Sequence, residues 1–352
     1  MEQLSELLKE HSKKYKMMQP DDAIKLLYQN EFGGGHIITD AAASLSYLTR
    51  EYESVMQTEA FPFCEDIGNG LVRIYLNGIP KESLNTVNSI FVKSAESVKG
   101  NKQELINKLE LLRQIAERGE MPFSSHEFSR ALKEYESQGY PMISHSEIYR
   151  LTYSPSYRVV LKKYLDFLPL MFAIDRIIAE KGSVILAIDG KCGSGKTTLA
   201  NLLSTIYCCE IISMDDFFLP PKLRTSDRLS EAGGNIHYER FMKEVIPNLK
   251  KRQAFTYRAF DCGKMNYGTD VRIEPLPLII VEGSYCLHPK FDGAFDVTVF
   301  LSCDEEVQMK RLYLRNNDSE LILRFKNEWI PMENKYELSF GIRKKCDFVF
   351  YT

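Results

Sequence analysis

The chain has 352 residues, of which 44% are hydrophobic and 26% are charged, and its formal net charge is −3. That length exceeds the usual size of one domain and predicts two, each with enough apolar material for a core. The near-neutral charge argues against nucleic-acid binding. The lack of a signal peptide or of a run of roughly 18 apolar residues argues against membrane insertion. The eight cysteines include no C-x-x-C pair, which argues against a disulfide framework, and these features together predict a cytoplasmic protein.

The first part of the chain is predicted to be mostly helical. Ser124 stands three residues before Glu127 in a capping-box pattern, and Gly139 ends that helix. The stretch 70–78 favours a strand, and 160–181 is taken as a helix that leads into the second part. We therefore assign 1–155 to a mostly helical domain of unknown role. Its helices are expected at 2–17, 20–29, 40–56, 82–97 and 101–118, by apolar periodicity.

One stretch of this first part is unusual, NEFGGGHIITD at 30–40. Its three glycines would let backbone N–H groups approach a ligand, or would form a loop between two helices, which we favour. His36, His126 and His145 would be candidates for a metal site, but no local ligand spacing supports one. We expect these histidines to be structural.

The second part, 156–352, alternates short apolar runs with helical patterns. Strands that are apolar on both faces and alternate with helices indicate a parallel sheet covered on both sides. The predicted class is therefore α/β. Strands are expected at 183–189, 210–214, 278–283, 296–302 and 346–352, with helices at 195–206, 238–251 and 304–316.

Residues 190–197, GKCGSGKT, fit G-x-x-x-x-G-K-[ST] between a predicted strand and a predicted helix. Glycines allow the backbone to approach closely, so that successive N–H groups face phosphate oxygens at the positive end of a helix. Lys196 would reach the outer phosphates, and Thr197 would offer its hydroxyl to Mg²⁺. The alternative is a glycine-rich turn that binds nothing, but motif and context together favour a nucleoside triphosphate.

Acidic residues follow two further strands of the predicted sheet. Asp215 and Asp216 end IISMDD, and Glu282 ends LIIVE. A carboxylate at that edge can accept a proton from an attacking hydroxyl or hold a metal ion. The pair could instead be solvated loop acids or a helix cap. The convergence of three strand ends on one site favours the functional interpretation.

These segments resemble the uridine kinase and phosphoribulokinase family of P-loop kinases. The resemblance covers about 183–352 and none of the first 150 residues. It implies a five-stranded parallel core, ATP with Mg²⁺, and phosphorylation of a hydroxyl on a small molecule. The matching segments are GKCGSGKTT, DDFF, IIVEGSY, DEEVQMKRLYLRN and WIPMENKYELSFGIRKKCDFVF.

The resemblance also implies roles for particular residues. The general base of the family falls on Asp215, its Mg²⁺-linked acid on Glu282, and its phosphate-clamping lid arginine on Arg315, one turn after Arg311. The predicted site comprises catalytic Asp215, Lys196 and Arg315; nucleotide-binding Gly190, Lys191, Cys192, Gly193, Ser194, Gly195, Lys196, Thr197, Thr198 and Arg311; substrate-binding Asp216, His237, Arg240, Tyr257 and Arg258; and metal-binding Thr197, Asp215 and Glu282.

The substrate segments depart from the family. Where uridine kinases carry Asn-Phe-Asp-His-Pro, whose aspartate grips the ribose hydroxyls, this chain reads GGNIHYERF and has His237. FTYRAFDC supplies Tyr257 but lacks the family's following His-Ser-Arg, and the lid segment RNNDSEL lacks the arginine–glycine stretch. We therefore predict that uridine and cytidine are poor substrates.

The expected acceptor is a small polar metabolite, and one with an acidic group would suit this region better than uridine, because arginine offers only donors and suits carboxylate or phosphate. Arg240 and Arg258 would meet that group, although pairing with Glu239 or Asp261 is equally expected, and His237 could be a surface residue without a role. The helical domain could also supply the missing carboxylate, from Glu31, Asp66 or Glu147.

Two classes of function remain open. The first is an ATP-dependent kinase for a small hydroxyl compound, with true uridine or cytidine kinase activity as its variant. The second is an ATP-dependent regulatory switch without a small-molecule substrate. Asp215 favours the enzyme, since a switch needs no substrate base. No nucleic-acid or membrane partner is expected, and a homo-oligomer is allowed.

Overall fold

The computed structural model describes residues 1–35, 40–58, 60, 63–316 and 318–352. The chain forms two compact units, Met1–Phe172 and Ala173–Thr352. The sequence-based boundary after residue 155 lies earlier in the chain and remains a prediction. His36 lies outside the described residues. No helix within the described ranges combines the length and the apolar character needed to cross a membrane.

The first unit combines helices with a small antiparallel sheet. Strand β2 lies in the middle of the sheet, between β1 and β3. The elements are α1 (Glu2–Lys14), α2 (Pro20–Phe32), α3 (Ala41–Ser54), β1 (Cys64–Gly68), β2 (Leu71–Tyr75), α4 (Leu84–Ser97), α5 (Lys102–Glu117), α6 (Ser125–Ser137), α7 (Glu147–Tyr153) and β3 (Tyr157–Leu161).

Local sequence signals account for much of this unit. The predicted apolar stripe of α5 is buried at Leu105, Leu109, Leu112 and Ile115. The capping box at the start of α6 is present, with Ser124 and the side chain of its third helical residue bonded reciprocally. These features confirm the mostly helical character of the first part of the chain.

The helix predicted over 160–181 is wrong in its first third. Tyr157–Leu161 forms strand β3, which pairs with β2, and helix α8 begins only at Leu168. The apolar run in this segment suits either period, and Val159 and Val160 are buried in the strand. Tertiary pairing therefore decides its conformation.

A buried guanidinium lies within the first unit. Arg73 is 1% exposed. It donates to Gln29 Oε1 from Nε at 3.0 Å and from Nη2 at 2.7 Å, and to Glu65 Oε2 from Nη1 at 3.2 Å. The second oxygen of Glu65 accepts from Lys14 at 2.7 Å and from the Tyr15 hydroxyl at 2.6 Å. These four partners and Arg73 are called the Arg73 network below.

A second chain of buried hydrogen bonds runs through His145. Its Nδ1 lies 2.8 Å from Asp22 Oδ1, and its Nε2 lies 2.6 Å from the Tyr157 hydroxyl. Burial lowers the pKa of His145 to about 4, so the ring is neutral. Burial alone would raise the pKa of Asp22, but hydrogen bonds from His145, Gln19 and Ser146 leave it lowered. An ionised Asp22 then accepts a hydrogen bond from the Nδ1–H group of His145, and Nε2 accepts one from the Tyr157 hydroxyl.

The second unit contains the parallel sheet. The boundary between the two units falls within helix α8 (Leu168–Lys181). The elements that follow are β4 (Val184–Gly190), α9 (Lys196–Ser204), β5 (Cys209–Ser213), α10 (Ser226–Ser230), α11 (Tyr238–Glu244), α12 (Ile246–Lys251), β6 (Phe255–Asp261), β7 (Asn266–Ile273), β8 (Leu278–Glu282), β9 (Val297–Ser302), α13 (Glu305–Arg315), α14 (Ser319–Arg324), α15 (Ile330–Phe340), α16 (Ile342–Lys345) and β10 (Phe348–Tyr351).

The five strands of the main sheet run parallel in the order β10-β9-β4-β8-β5. Every residue of β4 and β8 is buried, as expected for strands covered on both faces. Their apolar side chains are the reason these runs form central strands. The predicted five-stranded parallel sheet is confirmed, and its five predicted strands each match an observed one.

A two-stranded antiparallel hairpin, β6 and β7, was not predicted. It pairs Phe255 with Ile273 and extends to Asp261 opposite Asn266. The hairpin carries FTYRAFD, the segment to which the family resemblance assigns substrate contacts.

Candidate functional site

The phosphate loop, residues 190–197, joins the central strand β4 to helix α9. Gly190 has φ of 147°, and a Cβ there would lie 2.3 Å from the carbonyl oxygen of Leu301. Only glycine permits this close approach of the loop to the neighbouring strand β9. Gly195, with φ of 94°, stands immediately before the first residue of α9. The two glycines therefore fix the path of the loop.

The carbonyl groups of the loop are held by side chains. The N–H and C=O of a trans peptide point in opposite directions, so carbonyls held on one side turn the following N–H groups to the other. Lys196 Nζ donates to the carbonyls of Gly190 at 2.8 Å and of Lys191 at 2.9 Å. Gln308 Nε2 donates to that of Cys192 at 2.7 Å, Arg311 Nη1 to that of Gly193 at 3.1 Å, and Thr352 Oγ1 to that of Ser194 at 2.8 Å.

Several backbone N–H groups of the loop are left open. Helix α9 begins at Lys196, and the first N–H groups of a helix have no partner within it. Their partial positive charge favours an anion. Over the described residues, no acceptor contacts the backbone N–H groups of Gly193, Gly195, Lys196, Thr197 and Thr198. The loop therefore has the donors of a phosphate cradle.

A carboxylate from another helix already contacts the loop. Glu333, on α15, accepts from the backbone N–H of Cys192 at 2.9 Å and from the Ser284 hydroxyl at 2.7 Å. Lys196 Nζ donates to the same Ser284 hydroxyl at 3.2 Å. Glu333 and Ser284 were not predicted. Glu333 lies 141 positions from Cys192, and Ser284 lies 88 positions from Lys196, so no local motif connects them to the loop.

Asp189 fastens the start of the loop and was also missed. It is 1% exposed, and burial raises the pKa of its carboxyl. Its oxygens accept from the N–H groups of Gly190, Tyr285 and Leu287 at 2.7, 3.1 and 3.0 Å, and from the Tyr336 hydroxyl at 2.8 Å. Each of these bonds is charge-assisted if Asp189 is ionised, which makes it a strong anchor.

The predicted metal ligands lie at adjoining strand ends. Thr197 Oγ1 is 3.3 Å from each carboxylate oxygen of Glu282, which ends β8. Burial raises the pKa of Glu282, the charge of Asp215 raises it further, and the charge of Lys196 opposes this. A hydroxyl and two carboxylates are hard oxygen donors, the kind that Mg²⁺ prefers. This donor set fits the predicted ion.

Asp215 and Asp216 lie in a short 3₁₀ helix, Met214–Phe217, directly after β5. Surrounding protein raises the pKa of Asp215, while the charges of Lys196 and Arg315 lower it. Burial raises the pKa of Asp216 as well, against a hydrogen bond from Tyr257 at 2.7 Å. Asp215 stays accessible to solvent, and its carboxylate accepts no hydrogen bond from the described part of the chain. It is therefore the more available of the two carboxylates.

The predicted substrate residues are brought together only in part. Tyr257 and Asp216 are bonded to each other. Arg240 is buried, and its nitrogens donate to Glu244 at 2.9 Å, to the Asp216 carbonyl at 3.2 Å and to the Arg258 carbonyl. Because these contacts use most donors of the Arg240 guanidinium, few are left for an anionic substrate.

The remaining two predicted substrate residues have protein partners as well. His237 Nδ1 lies 3.2 Å from Glu239 Oε2. The guanidinium of Arg258, on β6, lies 3.8 Å from Asp270 and is largely exposed. The substrate roles of both stay predictions.

The lid arginines on α13 differ from each other. Arg311 donates to the loop carbonyl of Gly193, as described above, and therefore supports the cradle. Arg315, in the last turn, is exposed, and its positive charge lowers the pKa of both Asp215 and Glu282. Arg315 thus lies close enough to act on the acids of the site.

About half of the chain is similar to solved structures of kinases. A possible uridine kinase from Bacillus stearothermophilus is 22% identical, and the match covers 52% of this chain and 100% of that one at a TM-score of 0.39. A D-glycerate 3-kinase from Cryptococcus neoformans is 16% identical over 48% of this chain and 86% of its own, also at 0.39. No family model matches the chain.

Proposed function

We propose that the protein is an ATP-dependent phosphotransferase that moves the γ-phosphate of ATP to a hydroxyl of a small molecule. The phosphate loop carries the proposal, because its carbonyls are held by side chains while five N–H groups of the loop and of the start of α9 have no acceptor among the described residues. An uncommitted row of donors at a helix N-terminus suits the phosphates of a nucleotide.

The side chains around the loop supply the rest of the chemistry. Lys196 would place its ammonium against the outer phosphates. Thr197, Glu282 and Asp215 would hold Mg²⁺, which would supply positive charge to offset that of the phosphates. Arg315 would add a second positive charge over the site.

Asp215 is the proposed general base. As the acceptor hydroxyl oxygen forms its bond to the γ-phosphorus, the bond to the leaving ADP oxygen breaks, and the hydroxyl proton passes to the Asp215 carboxylate. A raised pKa suits this task, since it brings the basicity of a carboxylate nearer to working pH. Asp216, held by Tyr257, would orient the acceptor.

The acceptor is proposed to be a small polar hydroxyl compound. The argument for an acidic acceptor rested on Arg240 and His237, and both of these side chains have protein partners. The argument against uridine and cytidine rests on the missing aspartate and is unaffected.

The test is ADP formation from ATP and Mg²⁺, measured with and without fractions of a pooled metabolite extract. We expect one fraction to stimulate turnover strongly, and uridine and cytidine to remain well below a kcat/KM of about 10⁴ M⁻¹s⁻¹, the ordinary range for enzymes. Tight ATP binding without stimulation by any fraction would favour the regulatory switch instead.

A further inference from the structure

We infer that Glu333 is an internal anion of the phosphate loop that opposes the binding of nucleotide phosphate. The inference rests on the proposed function, since it concerns the same loop. Its starting point is that a carboxylate of the chain itself contacts a loop built to receive anions.

The contacts of Glu333 reach both ends of the loop. One carboxylate oxygen accepts from the backbone N–H of Cys192 at 2.9 Å, and the other accepts from Ser284 at 2.7 Å. Ser284 receives a hydrogen bond from Lys196 Nζ at 3.2 Å, so a single hydroxyl separates the carboxylate from the ammonium of Lys196. Glu333 therefore contacts the loop backbone at Cys192 directly, and it is linked through Ser284 to the lysine that the proposed function assigns to phosphate.

Both backbone polar groups of Cys192 are held by side chains. Its carbonyl accepts from Gln308 Nε2 at 2.7 Å, from helix α13, while its N–H donates to Glu333, from helix α15. Between these helices the chain passes through α14 and a five-residue π-helical turn, Phe325–Trp329. Two separate helices thus set the orientation of two successive loop peptides, one on each side of the Cys192 Cα.

Burial strengthens the electrostatic effect of the Glu333 carboxylate on its surroundings. The residue is 7% exposed, so water screens its carboxylate poorly, and like charges at short range in such a setting repel strongly. Phosphates that contact Lys196 would lie within one or two side-chain lengths of it. The same carboxylate that orders the loop without nucleotide would therefore raise the dissociation constant for ATP.

The experiment measures ATP binding calorimetrically, with Mg²⁺, in the full chain. In Glu333→Gln the amide can still accept from Cys192 and donate to Ser284, so shape is kept and charge removed. We expect ATP to bind about tenfold more tightly than to the wild type, a change in keeping with one lost repulsion between nearby charges. The gain should be smaller for AMP, which brings one phosphate instead of three.

Glu328→Gln is the matched control. Glu328 lies in the π-helical turn, and its carboxylate is 56% exposed and pairs with Arg324 at 3.5 Å. Screening by water should leave ATP affinity within about twofold of the wild type in this variant. Should Glu333→Gln not fold, Glu333→Asp replaces it: its shorter side chain cannot reach both partners, and a smaller tightening is expected.

Three outcomes are distinguishable. Tighter ATP binding in the Glu333 variant, but not in the Glu328 control, supports the inference. Unchanged or weaker ATP binding in the Glu333 variant, while the wild type binds ATP, overturns it and makes Glu333 a purely supporting residue. If the wild-type protein does not bind ATP at all, the proposed function fails first, and the inference with it.

Discussion

The Arg73 network of the first unit and the loop 190–197 of the second both gather many polar groups, but their hydrogen bonds differ. Around Arg73 the donors meet acceptors from Gln29 and Glu65. In the loop, the carbonyls are satisfied but N–H groups are not, and the buried hydroxyl of Ser194 has no partner among the described residues. A satisfied network serves the fold, whereas unsatisfied donors at a helix start indicate a ligand.

The largest effect is expected from Lys196→Ala, because this change removes the positive charge nearest the open donors of the loop. Phosphoryl transfer should fall by about a thousandfold or more. The circular dichroism spectrum and the melting temperature should stay close to those of the wild type. Near-normal turnover in a folded variant would show that the loop is not the catalytic site.

Asp215→Asn should come next, with a loss of about 10²–10⁴-fold in kcat, the usual contribution of a positioned general base. Asp216→Asn should lose less, since Asp216 is already bonded to Tyr257. The measurement is kcat at saturating ATP for both variants. If Asp216→Asn has the larger loss, the base is Asp216; equal mild losses would make both acids structural.

Arg73→Met tests the Arg73 network, in which the donors of Arg73 meet acceptors. This change leaves Glu65 buried without its guanidinium partner, which should cost about 3–5 kcal/mol of unfolding free energy. Arg113→Met, at an exposed arginine of α5 paired with Glu110 and Glu117, is the control and should change stability little. Chemical denaturation measures both. Equal stabilities would mean that the Arg73 network contributes nothing to the fold.

The smallest effect concerns pH. Burial lowers the pKa of His145 from 6.5 to about 4, so below pH 6.5 the unfolded chain binds a proton that the folded chain refuses. Stability from this group is complete above pH 6.5 and declines as the pH falls towards 4, by about 2 kcal/mol between pH 7 and 5. His145→Gln should flatten that decline. His11, whose pKa burial lowers to about 4 as well, keeps the variant from becoming independent of pH.

Much of the second unit was predictable because its signals are local. The residues from Gly190 to Thr197 are consecutive, and Asp215 and Glu282 stand at the ends of two apolar runs typical of strands in a parallel sheet. Strand ends in one sheet meet at one edge, so these residues could be placed together without knowing any contact.

The missed residues have no such signal. Glu333 and Asp189 act through the N–H of Cys192 and through Tyr336, 141 and 147 positions away. Neither residue lies at a sequence spacing that is typical of a catalytic or binding motif. The helix predicted from residue 160 starts too early, because Val160 and Leu161, whose apolar character fits either period, pair with β2 as the end of β3. Arg240 was expected to meet an anionic group or to pair with Glu239, because the sequence does not show its contacts with Glu244 and two backbone carbonyls.

The most direct test of the central claim follows the γ-phosphate itself. The protein is incubated with Mg²⁺ and ATP labelled at the γ-phosphorus, together with the stimulating metabolite fraction, and the label is traced. Transfer to an organic phosphate ester by the wild type, lost in Lys196→Ala and strongly reduced in Asp215→Asn, is the predicted result. Label released only as inorganic phosphate, or transfer that survives both substitutions, would contradict the account.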